Sequence, residues 1–484
     1  MTVRRTIHIL GCFLLAVLPG CTTKKGEYRN GRVVVQYWEK WTGFEGEAMQ
    51  EVVDAFNASQ ERIWVEKITV SRMDRKLLAS IAGGTPPDVA GLWSYHIAPY
   101  ASKSAILPLD ERMRESGLTK EHYKPIFWEL CRWQGAHYAL PTTPATAALY
   151  WNKRLFREAG LDPDRLPKTL SELDEFAEKL TKYDDSGNLT QVGFLPGIPG
   201  AWMWAWGYWF GGRLLSNPET VSVDSSENIR AAEWVSSYSK KFGVGAIERF
   251  RTSLYQGSER VFSSPLDPFL AGKVAMQIQG VWGYNFIEKF SPGMEWGAAP
   301  FPSAVPGLKD VAMAECDILV LPRGSRHPDE AWEFMEFANS QRAMEMLCLG
   351  HRKFSPLAKT SNLFWEKNPN PYIKVFSDLA ESPNVFAFPI TPIRTLFYRE
   401  MDAAMDTVVN LSKSPEEALR SVKARMQKRL DYEVRRLKNR GAWHPESAEV
   451  TSALNRSQKS ARYMESSIEM KGRETYFVLS EEGT

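Results

Sequence analysis

The chain has 484 residues, of which 43% are hydrophobic and 24% charged, and these ordinary globular values exclude a disordered chain. The length suggests about three domains, or two large ones. The 60 basic and 58 acidic residues nearly cancel, which argues against a general nucleic-acid-binding protein. The 17 tryptophans exceed what folding requires, and since aromatic faces commonly hold ligands, they are a first hint of a binding function.

The N-terminal segment has the pattern of a secretory signal. Arg4 and Arg5 precede an apolar run at 9–18, which is too short to cross a bilayer because a spanning helix takes about 20 residues. We therefore predict a signal peptide at 1–20 and a polar tether at 21–28. No later apolar run reaches about 18 residues, so no second membrane anchor is predicted.

The end of this signal resembles a bacterial lipoprotein box. In that motif an apolar residue, a small residue and a glycine precede a cysteine that is lipidated and becomes the new N-terminus. Here the motif is Leu18-Pro19-Gly20-Cys21, in which Pro19 departs from the usual small residue. The resemblance predicts a lipid anchor at Cys21 on the outer face of the bacterial cytoplasmic membrane, or a periplasmic protein. The alternative is an ordinary cleaved signal with a chance cysteine.

Strand and helix patterns alternate after the tether. Buried strands are predicted at 33–38, 64–70 and 88–92, with helices at 47–59 and 75–82 between them. This order predicts an α/β layered domain with a parallel sheet. Further along the chain we predict a strand at 147–151 and helices at 170–180, 329–339 and 415–437.

The sequence carries no recognisable catalytic, phosphate-binding or metal motif. HExxH, GxSxG, GxxxxGK[ST] and GxGxxG patterns are absent, and the cysteines lack CxxC spacing. We expect a protein that is not an enzyme and holds no cofactor or metal. Cys131, Cys316 and Cys348 are expected to be buried free thiols. A carboxylate pair for glycoside hydrolysis remains open, with the candidate members Glu39, Glu45, Glu315 and Asp317.

Tryptophans gather where strands are predicted to end. Trp38 and Trp41 flank the end of the first strand, Trp93 follows the third, and Trp282 follows a Gly-Val pair. Ligands of α/β folds bind beyond strand ends. The C–H faces of sugar rings stack on indole, while polar side chains bind the hydroxyl groups. This distribution favours sugar binding, with core packing as the alternative for any single ring.

A further four tryptophans crowd the segment AWMWAWGYWFGG. The spacing of Trp202, Trp204 and Trp206 is compatible with a strand that holds all three on one face. In that arrangement Trp206 and Trp209 pack internally. The predicted stacking residues are therefore Trp41, Trp93, Trp202, Trp204 and Trp282.

Several segments resemble a known family in its own order. VVVQYWEKWTGFEGEAMQEVVDAFNAS is similar to its first strand and helix, and LLASIAGGTPPDVAGLW to its next helix, glycine break and third strand. HYALPTTPATAALYWN resembles its hinge crossing, FLAGKVAMQIQGVWGYNFI a segment of its second lobe, and ILVLPRGSRHPDEAWEFMEFANS its return to the first lobe. The family is the extracellular solute-binding proteins of ABC importers, of the maltose-binding type (family 1), and the resemblance covers about 33–435.

The resemblance implies an α/β fold of two lobes, the periplasmic-binding-protein fold (type II-like), with a ligand cleft between them. It places lobe one at 29–141 and 303–340 and lobe two at 142–302 and 341–439, and leaves 440–484 as an unassigned C-terminal extension.

The implied function is capture of a sugar or oligosaccharide between closing lobes and its delivery to ABC permease subunits driven by a cytoplasmic ATPase. Polar recognition is predicted at Glu45, Asp317 and Arg352, with Thr142 and Thr143 at the hinge as further candidates. Two alternatives stay open: a secreted glycan-active enzyme, or a same-fold sensor or binder for a non-sugar ligand such as a phosphodiester.

Overall fold

The computed structural model describes residues 28–198, 202–255 and 264–444. The predicted signal peptide, Cys21 and nearly all of the predicted C-terminal extension lie outside these ranges. Within them, no helix combines the length and the apolar character that crossing a membrane requires.

Strands and helices alternate through most of the described chain. The strands are β1 Tyr28–Arg29, β2 Arg32–Glu39, β3 Ile63–Thr69, β4 Val89–Trp93, β5 Arg132–Trp133, β6 Ala136–His137, β7 Leu140–Asn152, β8 Lys182–Tyr183, β9 Leu189–Gln191, β10 Leu215–Asn217, β11 Thr220–Val221, β12 Met276–Gly280, β13 Trp296–Ala299, β14 Ala312–Val320 and β15 Val385–Phe386. The helices are α1 Gly43–Ser59, α2 Met73–Ala82, α3 Ile97–Ala101, α4 Asp110–Glu115, α5 Pro125–Leu130, α6 Lys153–Glu158, α7 Leu170–Lys179, α8 Ser226–Phe242, α9 Val244–Tyr255, α10 Gly283–Phe290, α11 Pro328–Ala338, α12 Gln341–Gly350, α13 Asn362–Lys367, α14 Ile373–Glu381, α15 Arg394–Val409 and α16 Pro415–Lys438. Short 3₁₀ helices lie at Ser94–His96, Lys120–His122 and Met203–Phe210.

The first lobe begins with the predicted parallel strands. β2 pairs with β3 from Val33↔Ile63 to Glu39↔Thr69 and with β4 beside Tyr37, all in parallel. Helix α1 covers this sheet with the apolar face that its periodicity predicted, and Val52 and Val53 are fully buried on it. The predicted parallel sheet is confirmed.

Two long antiparallel strands, β7 and β14, join the lobes. The first half of β7 pairs with β14, which in turn pairs with β4 of the first lobe. The second half of β7 pairs with β12 and β13 of the second lobe. A single sheet therefore runs through both lobes, and residues at the middle of β7 and β14 lie where the lobes meet.

The pairing of β7 with β14 is interrupted by a β-bulge at this crossing. Cys316 pairs with Pro144 and Ile318 pairs with Pro141, so that Thr142 and Thr143 together oppose Asp317. Pro141 and Pro144 have no N–H group to donate to the ladder, which favours an irregular pairing here. Bulges re-aim side chains, and this one brings the Thr143 hydroxyl onto the Asp317 carboxylate.

Helix α12 packs differently from its predicted assignment. The sequence places residues from 341 onward in lobe two, yet Ala343 and Leu347 belong to the core that contains α1, β2 and α11. Gly350 lies against α1 so closely that a Cβ there would stand 2.4 Å from the Cβ of Ala48. We therefore propose that the last return to lobe two begins after α12.

The tryptophan-rich segment is a 3₁₀ helix, not a strand. Met203–Phe210 is buried at every position, so its side chains point inward on all sides. A segment that is apolar all round has no polar face to mark its periodicity, and strand and helix cannot be told apart from its composition. The predicted strand face of Trp202, Trp204 and Trp206 is thus wrong.

Candidate functional site

Asp317 lies at the centre of a buried polar cluster at the lobe crossing. Trp41 Nε1–H donates to its Oδ2 at 3.1 Å, and the Thr143 hydroxyl donates to the same oxygen. Lys40 Nζ stands 3.1 Å from Oδ1, and Lys353 Nζ 3.8 Å from Oδ2. Burial by itself raises the pKa of Asp317, but the two lysines and the threonine hydroxyl outweigh it and lower the pKa to about 2.

Glu45 forms the second part of the cluster from the first turn of α1. Its carboxylate lies 3.5 Å from Lys353 Nζ and 3.7 Å from His351 Nδ1. Burial raises the pKa of Glu45, against the opposite effect of Lys353. Burial, reinforced by Lys353, lowers the pKa of His351 to about 3, so this ring is neutral at pH 7.

Glu39 completes the cluster at the end of β2. Its carboxylate accepts the backbone N–H groups of Lys40 at 2.6 Å and Trp41 at 3.1 Å, as well as the Tyr37 hydroxyl. It lies 3.6 Å from Lys40 Nζ. Burial lowers the pKa of Lys40, but Asp317 and Glu39 outweigh this and raise it. Lys40 therefore stays charged and is neutralised by its neighbours.

Aromatic rings of the first lobe surround this cluster. Trp41 and Trp93 meet edge to face with ring centroids 5.8 Å apart, and Trp93 is parallel to Tyr95 at 5.6 Å. Lys40 Nζ lies 5.2 Å from the Trp41 ring and 5.1 Å from the Trp93 ring. All three rings are partly exposed, so they offer surface to a ligand. We call Trp41, Trp93 and Tyr95 the aromatic wall.

Arg394, the first residue of α15, extends the aromatic wall toward the second lobe. Its guanidinium carbon lies 3.9 Å from the Tyr95 ring centroid, 5.0 Å from that of Phe388 and 5.6 Å from that of Tyr398. Glu315 lies on the same face of β14 as Asp317, two residues away. The pKa of Glu315 is raised to about 7. Burial is the largest cause, Arg394 opposes the rise and Asp317 adds to it.

Trp202 and Trp282 form an aromatic pair in the second lobe. Their ring centroids are 5.9 Å apart in an edge-to-face arrangement, and both are partly exposed. Trp282 precedes α10, and Trp202 precedes the 3₁₀ helix with a left-handed φ of 58°. Stacking of a ligand on these rings remains a prediction.

The remaining predicted site residues are placed unevenly. Trp204 is 1% exposed and enclosed by rings that include Phe388, at 4.9 Å, so its surroundings disfavour ligand stacking. Thr142 is buried in the bulge beside Thr143. The guanidinium carbon of Arg352 lies 5.7 Å from the centroid of the Phe44 ring.

Several residues of the cluster were not predicted from the sequence. Lys40 directly precedes Trp41, and Tyr95 lies two residues after Trp93; their position just beyond strand ends was the available signal. Lys353 follows Arg352 in the same loop, and it reaches the carboxylates where Arg352 does not. Arg394 follows no predicted strand, and no local pattern marks it.

The amino-acid sequence matches a known family. Residues 43–345, more than half of the chain, match the bacterial extracellular solute-binding proteins, and the chain belongs to that family. Its two-lobe fold is shared with solved sugar-binding proteins: the structure of CpMnBP1 with mannotriose bound aligns with a TM-score of 0.72 and 27% identity, over 81% of this chain and 99% of that one.

Curated relatives bind different solutes. A maltotriose-binding protein from Pyrococcus abyssi is 23% identical over 393 residues, which cover 80% of this chain and 79% of that protein. The sn-glycerol-3-phosphate-binding periplasmic protein UgpB from Rhizobium meliloti is 30% identical over 153 residues, 30% of this chain and 36% of that protein. The family is therefore shown, and the solute has to be argued from the site.

Proposed function

We propose that this protein binds a neutral oligosaccharide between its two lobes and delivers it to the permease of an ABC importer. The observation that carries the proposal is the aromatic wall around the Asp317 cluster. Indole and phenol faces beside hydroxyl-binding carboxylates suit the alternation of C–H faces and hydroxyl edges that a sugar presents. The mannotriose complex of CpMnBP1 and the maltotriose-binding relative support the same solute class.

The charges of the cluster argue against a phosphate ligand. Lys40 and Lys353 lie within ion-pair distance of Glu39, Glu45 and Asp317, so neither lysine is a free cation. A phosphate would have to displace these buried carboxylates, which is costly because each would be left without its partner. A neutral ligand leaves the pairs intact.

The same carboxylates bear on the alternative of glycan hydrolysis. Glu315 and Asp317 have pKa values of about 7 and about 2, the separation that an acid and a nucleophile need. Trp41 and Thr143 already donate to Asp317, however, and two lysines pair with it. An engaged carboxylate is a poor nucleophile, which favours binding without cleavage.

Calorimetric titration and thermal shift with a panel of mannobiose, mannotriose, maltotriose, maltotetraose and sn-glycerol 3-phosphate test the proposal. We expect at least one saccharide to bind and to raise the melting temperature, since a ligand at 100 times its Kd stabilises by about 2.7 kcal/mol. Binding of glycerol phosphate alone, or release of shorter sugars on incubation, would contradict it. Uptake by vesicles that carry the permease separates an importer component from a sensor.

A further inference from the structure

Glu315 and Arg394 line one cavity at the lobe interface, beside the Asp317 cluster. Ser94 and Tyr95 of the first lobe and Thr391 of the second line it as well. The space between these side chains measures about 320 Å³ when the open solvent at its mouth is included. Glu315 comes from the crossing strand β14 and Arg394 from α15, so a ligand held by both touches the crossing and the second lobe together.

Neither charged side chain has a polar partner in the described part of the protein. Arg394 Nε is buried without a hydrogen-bond partner, and Glu315 influences Arg394 only through its charge, without a direct ion pair. Buried polar groups are nearly always hydrogen-bonded, and an exception calls for an explanation. Lys40, Lys353 and Asp317 nearby are all paired, whereas Glu315 and Arg394 form no ion pair within the described residues.

Among the described residues, the side chains around Arg394 are aromatic and give its Nε no hydrogen-bond partner. The ring centroids of Tyr95 and Phe388 lie 3.9 Å and 5.0 Å from its guanidinium carbon, so both rings cover it with aromatic surface. The N–H groups of a guanidinium point outward in its plane and can donate to two neighbouring oxygens at once. A carboxylate such as Glu315 accepts hydroxyl hydrogens. Two adjacent hydroxyl groups of a sugar ring offer both kinds of partner.

We propose that Arg394 and Glu315 together bind two neighbouring hydroxyl groups of a single sugar unit, as a polar contact point separate from the Asp317 cluster. This inference rests on the proposed oligosaccharide-binding function and adds residues that select the ligand. Glu315, when ionised, repels a ligand carboxylate or phosphate from the guanidinium, which favours an uncharged unit here.

The test uses the full mature chain and the variants Arg394→Lys and Glu315→Gln. Lysine keeps the charge of Arg394 but loses the planar fork, and glutamine keeps the size of Glu315. The matched controls are Arg132→Lys and Glu129→Gln, since Arg132 and Glu129 form a half-buried pair at 3.3 Å within the first lobe. Titration with mannotriose and maltotriose gives the affinities, and thermal melting confirms that each variant is folded.

We expect each site variant to weaken the saccharide that wild type binds by tenfold or more, with controls within twofold. The double variant should lose less than the product of the single losses, because both side chains act on one sugar unit. Site variants within twofold of wild type would overturn the inference and leave the proposed function standing. A wild type that binds neither trisaccharide nor any other saccharide of the panel would overturn both.

Discussion

The carboxylate of Asp317 contacts three other parts of the chain. Lys40 and Trp41 follow β2, Thr143 lies in β7, and Lys353 follows α12. Buried charges persist in folded proteins only when they are paired and hydrogen-bonded. The two lysines offset two of the three carboxylate charges of the cluster. These contacts fix the first-lobe loop that carries Trp41 against the crossing strands.

Removing this charge should cost stability in a pH-dependent way. We expect Asp317→Asn to lower the free energy of unfolding by about 3 kcal/mol at pH 7, because Lys40 and Lys353 lose a buried counter-charge. The pKa of Asp317 is lowered in the fold, so its contribution is complete above about pH 4 and is lost as pH falls through about 2. The difference in free energy of unfolding between wild type and Asp317→Asn should therefore narrow as the pH falls from about 4 to about 2.

Urea unfolding from pH 7 down to pH 2.5 measures this gap. Asp329→Asn is the control, because Asp329 is 80% exposed and pairs with Arg112 at the surface. Exposed pairs contribute about 0–1 kcal/mol. A gap for Asp317→Asn as small as that of the control would contradict a structural role for the cluster.

The aromatic wall yields a prediction on affinity. We expect Trp93→Ala to weaken oligosaccharide binding ten- to hundredfold, by analogy with the 1–3 kcal/mol of base–aromatic stacking. Trp64→Ala is the matched control, since Trp64 is also half-buried but lies on β3 beneath Arg29. Calorimetry measures the oligosaccharide affinity of both variants. Equal affinities of Trp93→Ala and Trp64→Ala would show that Trp93 does not bind the sugar.

At the scale of elements, the crossing strands β7 and β14 set the geometry of the site. Their bulge turns Thr143 onto Asp317, and strand alternation places Glu315 on the same face two residues away. Helix α1 then positions the loop before it: Gly46 sits so close that a Cβ would stand 2.7 Å from the Trp41 carbonyl oxygen. Close packing of a helix on a loop is how this rigid element fixes Trp41.

Gly46→Ala should therefore displace the loop of Trp41. Because the obstructing atom is backbone, the loop itself has to move, and we expect at least a tenfold loss of sugar affinity together with a lower melting temperature. Gly245→Ala is the control, since the nearest atom there is the tip of the Arg249 side chain at 3.4 Å. Unchanged affinity in Gly46→Ala would show that the position of Trp41 does not matter for binding.

For the whole molecule, the two lobes place partly exposed aromatic surface on both sides of the crossing. The first lobe contributes Trp41, Trp93 and Tyr95, and the second contributes Tyr398 next to Arg394. A ligand favours the closed arrangement of the lobes only to the extent that it binds this arrangement more tightly than the open one. A sugar that contacts both lobes meets that condition, and we propose that the permease recognises the closed arrangement.

The proposed lipid anchor can be tested on the intact protein in bacterial cells. We expect Cys21→Ala to abolish labelling by a palmitate analogue and to leave an unlipidated precursor. Cys131→Ala, which changes a buried thiol far from the signal, is the control and should label like wild type. Equal labelling of Cys21→Ala and wild type would exclude Cys21 as the lipidated residue.

Local patterns in the sequence were sufficient for the α/β order, the parallel first lobe and the family. Apolar periodicity reports which face of a helix or strand is buried, and predicted strand ends pointed to Trp41, Trp93 and Asp317, which the fold brings together. Thr143 was predicted at the hinge through the family resemblance, and it contacts Asp317. The predictions of strands and helices succeeded because each depends on neighbours within a few residues, while a ligand-binding role for these residues stays a prediction.

Only the tertiary structure decided which distant residues share the site. Lys353 and Arg394 lie far along the chain from β2 and reach it through helices whose own sequences carry no binding pattern. The packing of α12 on the first lobe and the 3₁₀ form of Met203–Phe210 likewise depend on what surrounds them. Contacts of long sequence separation, such as the bulge that opposes Thr143 to Asp317, arise when two crossing strands pair, and no local periodicity encodes that pairing.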